Sequence, residues 1–78
     1  MQRKKEETMM PLTLVETGKP QIIRKIGGKD ETKRFLESLG FVTGGEVTVI
    51  SELSGNMIVN VKEARVAISK AMASRIMV

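Results

Sequence analysis

The side chains that usually carry out chemistry are sparse in this sequence of 78 residues. Histidine and cysteine are absent, which removes the commonest general base and the usual pairs of nucleophile and base. The serines have no histidine and no evident buried lysine beside them, and they stand at Ser38, Ser51, Ser54, Ser69 and Ser74. The sequence therefore predicts no catalytic residue and no enzymatic activity.

Ligands for a resident metal ion or a phosphate group are equally scarce. First-row metals prefer imidazole, thiolate or clustered carboxylate ligands, and this chain offers only scattered acidic residues and six methionines. The glycine pairs Gly27-Gly28 and Gly44-Gly45 match neither the phosphate-binding loop nor the dinucleotide fingerprint, so we interpret them as turn glycines. We expect no metal site and no cofactor.

The formal net charge is +4, yet the basic residues do not gather into a patch. Arg3, Lys4 and Lys5 lie in a polar leader, and beyond residue 8 basic and acidic residues are interspersed. The aromatic residues are Phe35 and Phe41, too few to build a stacking platform for bases. A solvated surface with a basic tail is favoured over a specific nucleic-acid partner.

The length and composition predict residues 1–8 as a flexible polar leader and residues 9–78 as a single small domain. No apolar run approaches the roughly 20 residues that span a membrane, and the N-terminus has no apolar signal segment. Together with the absence of cysteine, these features predict a cytoplasmic protein.

The clearest element is one short α-helix at about residues 30–39. Asp30 is expected to cap its N-terminus, and Gly40 to close its C-terminus in the left-handed conformation. Phe41 would then fold back over the last turn. The predicted apolar stripe has helical spacing and consists of Thr32, Phe35, Leu36 and Leu39.

Short strands are predicted before and after this helix, and a single helical turn at residues 70–74, in which Ala71 and Met72 would close the core. The expected strands are Leu12–Val15, Gln21–Ile26, Glu46–Leu53, Met57–Lys62, Arg65–Ser69 and Arg75–Val78. In the third of these, alternation would place Val47, Val49 and Ser51 on one face. The predicted aliphatic core is Leu12, Leu14, Ile23, Ile26, Leu36, Leu39, Val47, Val49, Val59, Val61, Ile68 and Ile76.

These elements predict a mainly β fold: a small, partly open β-barrel of five to six strands, with the helix after the second strand. A flat open sheet of this size would leave its edges exposed, whereas a sheet that curls on itself protects them. The thin core and the strand edges that remain exposed also favour a homodimer.

The order of the segments resembles the FeoA family of ferrous-iron transport proteins. The likeness covers about residues 10–78 and rests on the run Leu36–Phe41 followed by Thr43-Gly44, and on the strand that begins near Val47. Two departures are Thr43, where the family often has proline, and Glu63, where it commonly has glycine. Since a non-glycine residue at positive φ costs about 1 kcal/mol or more, Glu63 favours a turn of another type.

The resemblance implies an SH3-like β-barrel that acts as a non-enzymatic accessory or regulatory protein of bacterial ferrous-iron uptake. It also implies a partner, the cytoplasmic part of the FeoB GTPase transporter, which would hold the chain at the inner face of the membrane. Two alternatives stay open: an SH3-like module of metal-dependent transcription regulators, and a small RNA-associated barrel. A free-standing chain without a helix-turn-helix argues against the former, and the basic leader weakly allows the latter.

The partner-binding residues are predicted at the rim where the helix meets the turn that follows it. Leu36 and Leu39 are assigned to the core. Our hypothesis is that Arg34, Phe41, Thr43 and Gly44 contact the transporter, because an exposed apolar residue beside a charge is a reasonable contact site.

Overall fold

A computed structural model describes residues 9–78, so the predicted leader, residues 1–8, lies outside the described residues. The strands are β1 (Pro20–Ile22), β2 (Lys25–Ile26), β3 (Glu46–Leu53), β4 (Asn56–Val61), β5 (Ala64–Ser69) and β6 (Ile76–Met77). The helices are α1 (Asp30–Ser38), α2 (Lys70–Ala73) and a 3-10 turn at Leu12–Leu14.

Two antiparallel sheets make up the fold. The larger sheet has the strand order β1-β3-β4-β5, and the smaller one pairs β2 with β6. An isolated bridge between Pro11 and Met77 attaches the beginning of the described chain to β6. Across the described residues the sheets do not close into a continuous barrel. The predicted mainly β, partly open fold, with its helix after the second strand, is confirmed.

The residues before β1 form a 3-10 turn and not the predicted strand. Leu12 is fully buried, but Leu14 is 69% exposed, so its assignment to the core is wrong. In a strand, residues two apart share a face, whereas in a 3-10 helix, with three residues per turn, they lie about 240° apart. One leucine therefore enters the core and the other faces solvent.

The predicted strand over residues 21–26 is divided between the two sheets. Ile23 N–H donates to Gly45 O at 2.9 Å on the β3 side, and Arg24 N–H donates to Met77 O at 2.8 Å on the β6 side. Successive residues of an extended chain direct their backbone groups to opposite edges, so one segment serves both sheets. The chain changes sheets between these two residues.

A β-bulge at Ile50 changes the faces of β3. Val49 is opposite Val59, but Ser51 is opposite Ile58, so Ile50 is an additional residue in β3. Cross-strand partners share a face, and the buried face of β4 belongs to Val59 and not to Ile58. The predicted placement of Ser51 beside Val47 and Val49 is therefore wrong.

Two-residue turns connect β3 to β4 and β4 to β5. Ser54 and Gly55 have φ of 50° and 81°, and Lys62 and Glu63 have φ of 50° and 66°. Positive φ at both central residues is the signature of a type I′ hairpin, whose twist matches that of the strands. The expectation of another turn type at Glu63 is wrong, because the hairpin geometry prevails over the strain of a non-glycine residue.

The C-terminal helical turn is confirmed as α2, and the hydroxyl of Ser69 accepts a hydrogen bond from Met72 N–H at 3.2 Å. Ala73 is buried in it and Ala71 is exposed, which reverses the predicted role of Ala71. The observed core also includes residues that the prediction omitted, namely Phe41, Met57, Ala73 and Val78. Leu39 is only partly buried and packs against the core.

Candidate partner-binding site

Helix α1 buries a narrower stripe than its sequence predicts. Leu36 is its fully buried residue, Thr32 and Leu39 are half-buried, and Phe35 is 47% exposed. Arg34 is exposed and precedes Leu36 by two residues, which is a rotation of about 200° around the helix. Arg34 therefore lies on the side of α1 that faces away from the core, and Phe35, which follows it in the sequence, is about half exposed.

The N-terminus of α1 differs from the prediction. The capping position is Lys29, which makes no side-chain capping hydrogen bond, and Asp30 is the first helical residue. The prediction of Asp30 as the cap is wrong by one residue. Asp30 and Glu31 still place negative charge in the first turn, where it interacts favourably with the helix dipole.

The C-terminus of α1 closes as predicted. Gly40 has a φ of 109°, its N–H donates to Glu37 O at 2.9 Å, and Phe41 N–H donates to Leu36 O at 3.0 Å. This pair of hydrogen bonds is the Schellman motif, in which a residue with positive φ reverses the chain direction. The start of the following turn is thus held by backbone hydrogen bonds.

Phe41 is fully buried, so its predicted position on an exposed rim is wrong. The hydrogen bond from its N–H to Leu36 O turns the chain back over the helix, and the ring joins the core. Phe35 supplies the exposed aromatic surface beside Arg34 instead. From the sequence, either phenylalanine could pack in the core. The turn of the chain after Gly40 buries Phe41 and leaves Phe35 exposed.

Thr43 and Gly44 are exposed and occupy the tip of one turn, as predicted. Gly45 N–H donates to Val42 O at 2.9 Å, and Gly44 has a φ of 89°, the positive value that the third residue of a type II turn adopts. Gly44 N–H also donates to Ile23 O at 2.8 Å. The tip is therefore anchored to the sheet at its base.

The predicted residues thus form two neighbouring exposed features and not a single cluster. Arg34 lies on the outer side of α1, whereas Thr43 and Gly44 lie beyond its C-terminal end. Sequence reasoning missed Lys62, whose side chain lies against Gly40: a Cβ atom on Gly40 would be 3.5 Å from Lys62 Cδ. The available signal in the sequence was the turn Lys62-Glu63, which has no glycine. In the structure this turn reaches the C-terminal end of α1 through the contact of Lys62 with Gly40.

The exposed surface offers recognition chemistry more than reaction chemistry. In the described region, residues 9–78, no three histidine, cysteine, aspartate or glutamate side chains come together as a metal site would require. Neither helix of that region combines the length and hydrophobicity needed to cross a membrane. What the site presents is a cation, an exposed aromatic edge and a rigid turn.

The chain matches the model of the FeoA domain family over residues 10–78. It belongs to the FeoA family. A relative from Methanocaldococcus jannaschii, named "Putative Fe(2+) transport protein A", is 31% identical over 70 residues, which cover 90% of this chain and 85% of the relative. The family resemblance predicted from the sequence is confirmed.

Solved FeoA structures share the fold. The crystal structure of an iron uptake regulatory protein (FeoA) superposes with a TM-score of 0.82 at 30% identity, over 91% of this chain and 95% of that chain. FeoA of Stenotrophomonas maltophilia, described as a procaryotic SH3 domain protein and solved with zinc, gives a TM-score of 0.74 at 25% identity, over 86% of each chain. The predicted SH3-like architecture is confirmed.

Proposed function

We propose that this FeoA-family chain is an accessory protein of ferrous-iron transport that binds the cytoplasmic part of a FeoB-type GTPase transporter. FeoA-family proteins are transport accessory proteins, and the family is not known for enzymatic activity. The proposal places the chain in the cytoplasm, at the inner face of the membrane. Its role is recognition, with iron as the cargo of the transporter.

The proposal rests on two neighbouring exposed features, the outer side of α1 and the turn beyond its C-terminal end, which together are called the rim of α1. Arg34 and Phe35 are exposed on the helix, and Thr43 and Gly44 are exposed on a turn whose backbone is bonded to the sheet. A preorganised surface loses little conformational entropy on binding, so a few contacts suffice for specificity. Arginine and aromatic residues are enriched among the residues that dominate binding energy.

The test is calorimetric titration of the full chain with the purified cytoplasmic domain of the FeoB-type transporter of the same organism. We expect Arg34→Glu and Phe35→Ser each to weaken binding about tenfold or more, because both remove exposed contacts at one surface. Arg65→Glu is the matched control, since Arg65 is also exposed but lies on β5. Circular dichroism should be unchanged in all three.

Unaltered affinity in Arg34→Glu and Phe35→Ser, with folded protein, would refute this surface. Complete absence of binding by the unmodified chain would refute the transporter partner itself. The homodimer remains a prediction, for which β5 is the longer of the two edge strands that the large sheet has within residues 9–78. Sedimentation velocity of the full chain over a range of concentrations measures it directly.

A further inference from the structure

A groove of about 520 Å³ runs beside β1, on a surface separate from the rim of α1. Met10, Leu14 and Ile22 line it and are 38%, 69% and 51% exposed. They are three of the six large apolar side chains that are exposed in the described part of the chain. The charged residues of its lining are Glu16, Lys19 and Arg24. Such a concentration of exposed apolar surface is typical of a binding groove.

The wall of the groove formed by β1 carries backbone groups that no strand of the described region pairs. β1 lies at the edge of the large sheet, with β3 on its inner side. Ile23 directs its N–H to Gly45 O and its C=O to Gly44 N–H, on the β3 side. Because backbone groups alternate along a strand, the N–H and C=O of Ile22 point to the opposite edge, toward the groove.

A little further along the chain, β6 pairs with the same edge, beside β2. Arg24 N–H donates to Met77 O, and β6 pairs with β2 along that edge. Beyond β6 this edge continues beside β1, where no strand within residues 9–78 pairs with it. A further extended segment can lie there, with its backbone bonded to Ile22 and its alternate side chains in contact with Leu14 and Met10. A helix in the groove would leave the edge of β1 unpaired.

The charges around β1 distinguish the candidate occupants. Lys19 precedes the strand, and Arg24 and Lys25 follow it. If two copies paired antiparallel with Ile22 opposite Ile22, Lys19 of one copy would be opposite Lys25 of the other, which places like charges opposite each other. An acidic segment would be attracted, because basic residues border the groove at both ends, Lys19 before β1 and Arg24 after it.

We propose that this groove binds an extended peptide segment of a partner protein, in which alternating apolar residues are flanked by acidic ones. The segment adds a short strand to β1, as in other cases of β-strand addition. Lys19 currently pairs with Glu16 at 3.3 Å, but both side chains are strongly exposed, so this ion pair is weak and a ligand carboxylate can replace it. The proposal concerns a second surface, and it does not depend on the identity of the transporter.

The experiment is an NMR titration of the ¹⁵N-labelled full chain with the blocked synthetic peptide DITVSD. We expect saturable amide shifts that are largest at residues 10–15 and 20–24. The peptide KITVSK, with the flanking charges reversed, should bind about fivefold or more weakly, since it meets like charge. The peptide DITPSD, which lacks one backbone donor and has a restricted backbone, should bind more weakly for lack of a ladder hydrogen bond.

Four variants of the chain complete the test. Leu14→Ser and Lys19→Glu should each weaken binding of DITVSD about fivefold to tenfold, because they remove an apolar contact and a favourable charge. Leu53→Ser and Lys33→Glu are the matched controls, since Leu53 is 66% exposed and Lys33 is exposed, and neither lines the groove. Both should retain the affinity of the unmodified chain.

Three results of the peptide titration would overturn the proposal. They are the absence of saturable shifts at millimolar peptide, shifts centred elsewhere in the chain, and equal binding of all three peptides. Shifts at residues 20–24 that depend on protein concentration without peptide would assign the groove to a second copy and also overturn it. Loss of transporter binding in Arg34→Glu with retention of peptide binding would separate this surface from the rim of α1.

Discussion

Lys62 lies across Gly40, and its Cγ and Cδ are 3.6 Å and 3.5 Å from the position that a Cβ atom of Gly40 would occupy. This contact joins the C-terminal end of α1 to the hairpin between β4 and β5. Both residues have positive φ, 109° at Gly40 and 50° at Lys62. The helix and the hairpin thus meet at two residues whose backbone has positive φ, a conformation that is strained for L-amino acids other than glycine.

Replacing Gly40 by alanine should destabilise the chain by about 1–3 kcal/mol, because alanine at this φ is strained. The added Cβ meets Lys62 at an ordinary contact distance, so the cost is conformational and not steric. Gly18→Ala is the matched control, since Gly18 has a φ of 83° and open space around it. Urea unfolding measures both. A Gly40 variant far less stable than the Gly18 variant would mean that packing at Lys62 also contributes.

Replacing Glu63 by glycine should stabilise the chain by about 1 kcal/mol, because glycine adopts the positive φ of this hairpin without strain. The φ of Glu63 is 66°, and the residue is exposed. Glu63→Ala removes the carboxylate but keeps Cβ, so its stability should change little. Thermal unfolding measures the stability of both variants. Equal stability of Glu63→Gly and Glu63→Ala would contradict a backbone effect and would show that loss of the glutamate side chain decides the change.

Leu12 and Leu14 should respond very differently to the same substitution. Leu12→Ala should cost about 2–5 kcal/mol, because it leaves a cavity in the core around a fully buried side chain. Leu14→Ala should change the stability by less than about 0.5 kcal/mol, since most of its side chain is already in water. Guanidinium unfolding of both variants measures the difference. Equal losses would contradict the 3-10 turn at residues 12–14.

The two phenylalanines give a second matched pair. Phe41→Ala should cost about 3–5 kcal/mol, because its ring is fully buried. Phe35→Ala should cost less than about 1 kcal/mol, since about half of the residue is already exposed, and its effect should appear in transporter binding instead. Comparison of unfolding midpoints with calorimetric affinities separates the two effects. A large loss of stability in Phe35→Ala would return Phe35 to the core.

The elements that depend on short-range chemistry could be predicted from the sequence. Gly40 closes α1 because no other residue type reverses the chain there so readily, and the predicted core residues Val59 and Val61 do lie on the buried face of β4. Ser69 begins α2 through a local hydrogen bond to Met72. In each case the deciding interaction joins residues only a few positions apart.

The features that were missed depend on contacts distant in sequence. The bulge at Ile50 exists only because β3 pairs with β4 in a particular register, and nothing in the alternation of β3 indicates it. The burial of Phe41 depends on the core that segments distant in the sequence build around it. The groove beside β1 arises because β6 covers β2 and stops short of β1. Local patterns carry no information on these arrangements.

Ile23 lies between the two proposed surfaces and links them through its backbone. Its C=O and N–H hold Gly44 and Gly45, at the base of the Thr43-Gly44 turn, while its neighbours Ile22 and Arg24 border the groove. A peptide bonded to Ile22 acts one residue away from the backbone that supports that turn, so a shift of this segment would move both surfaces together. Thermodynamic linkage then requires reciprocity: the factor by which a groove peptide changes transporter affinity equals the factor by which the transporter domain changes peptide affinity.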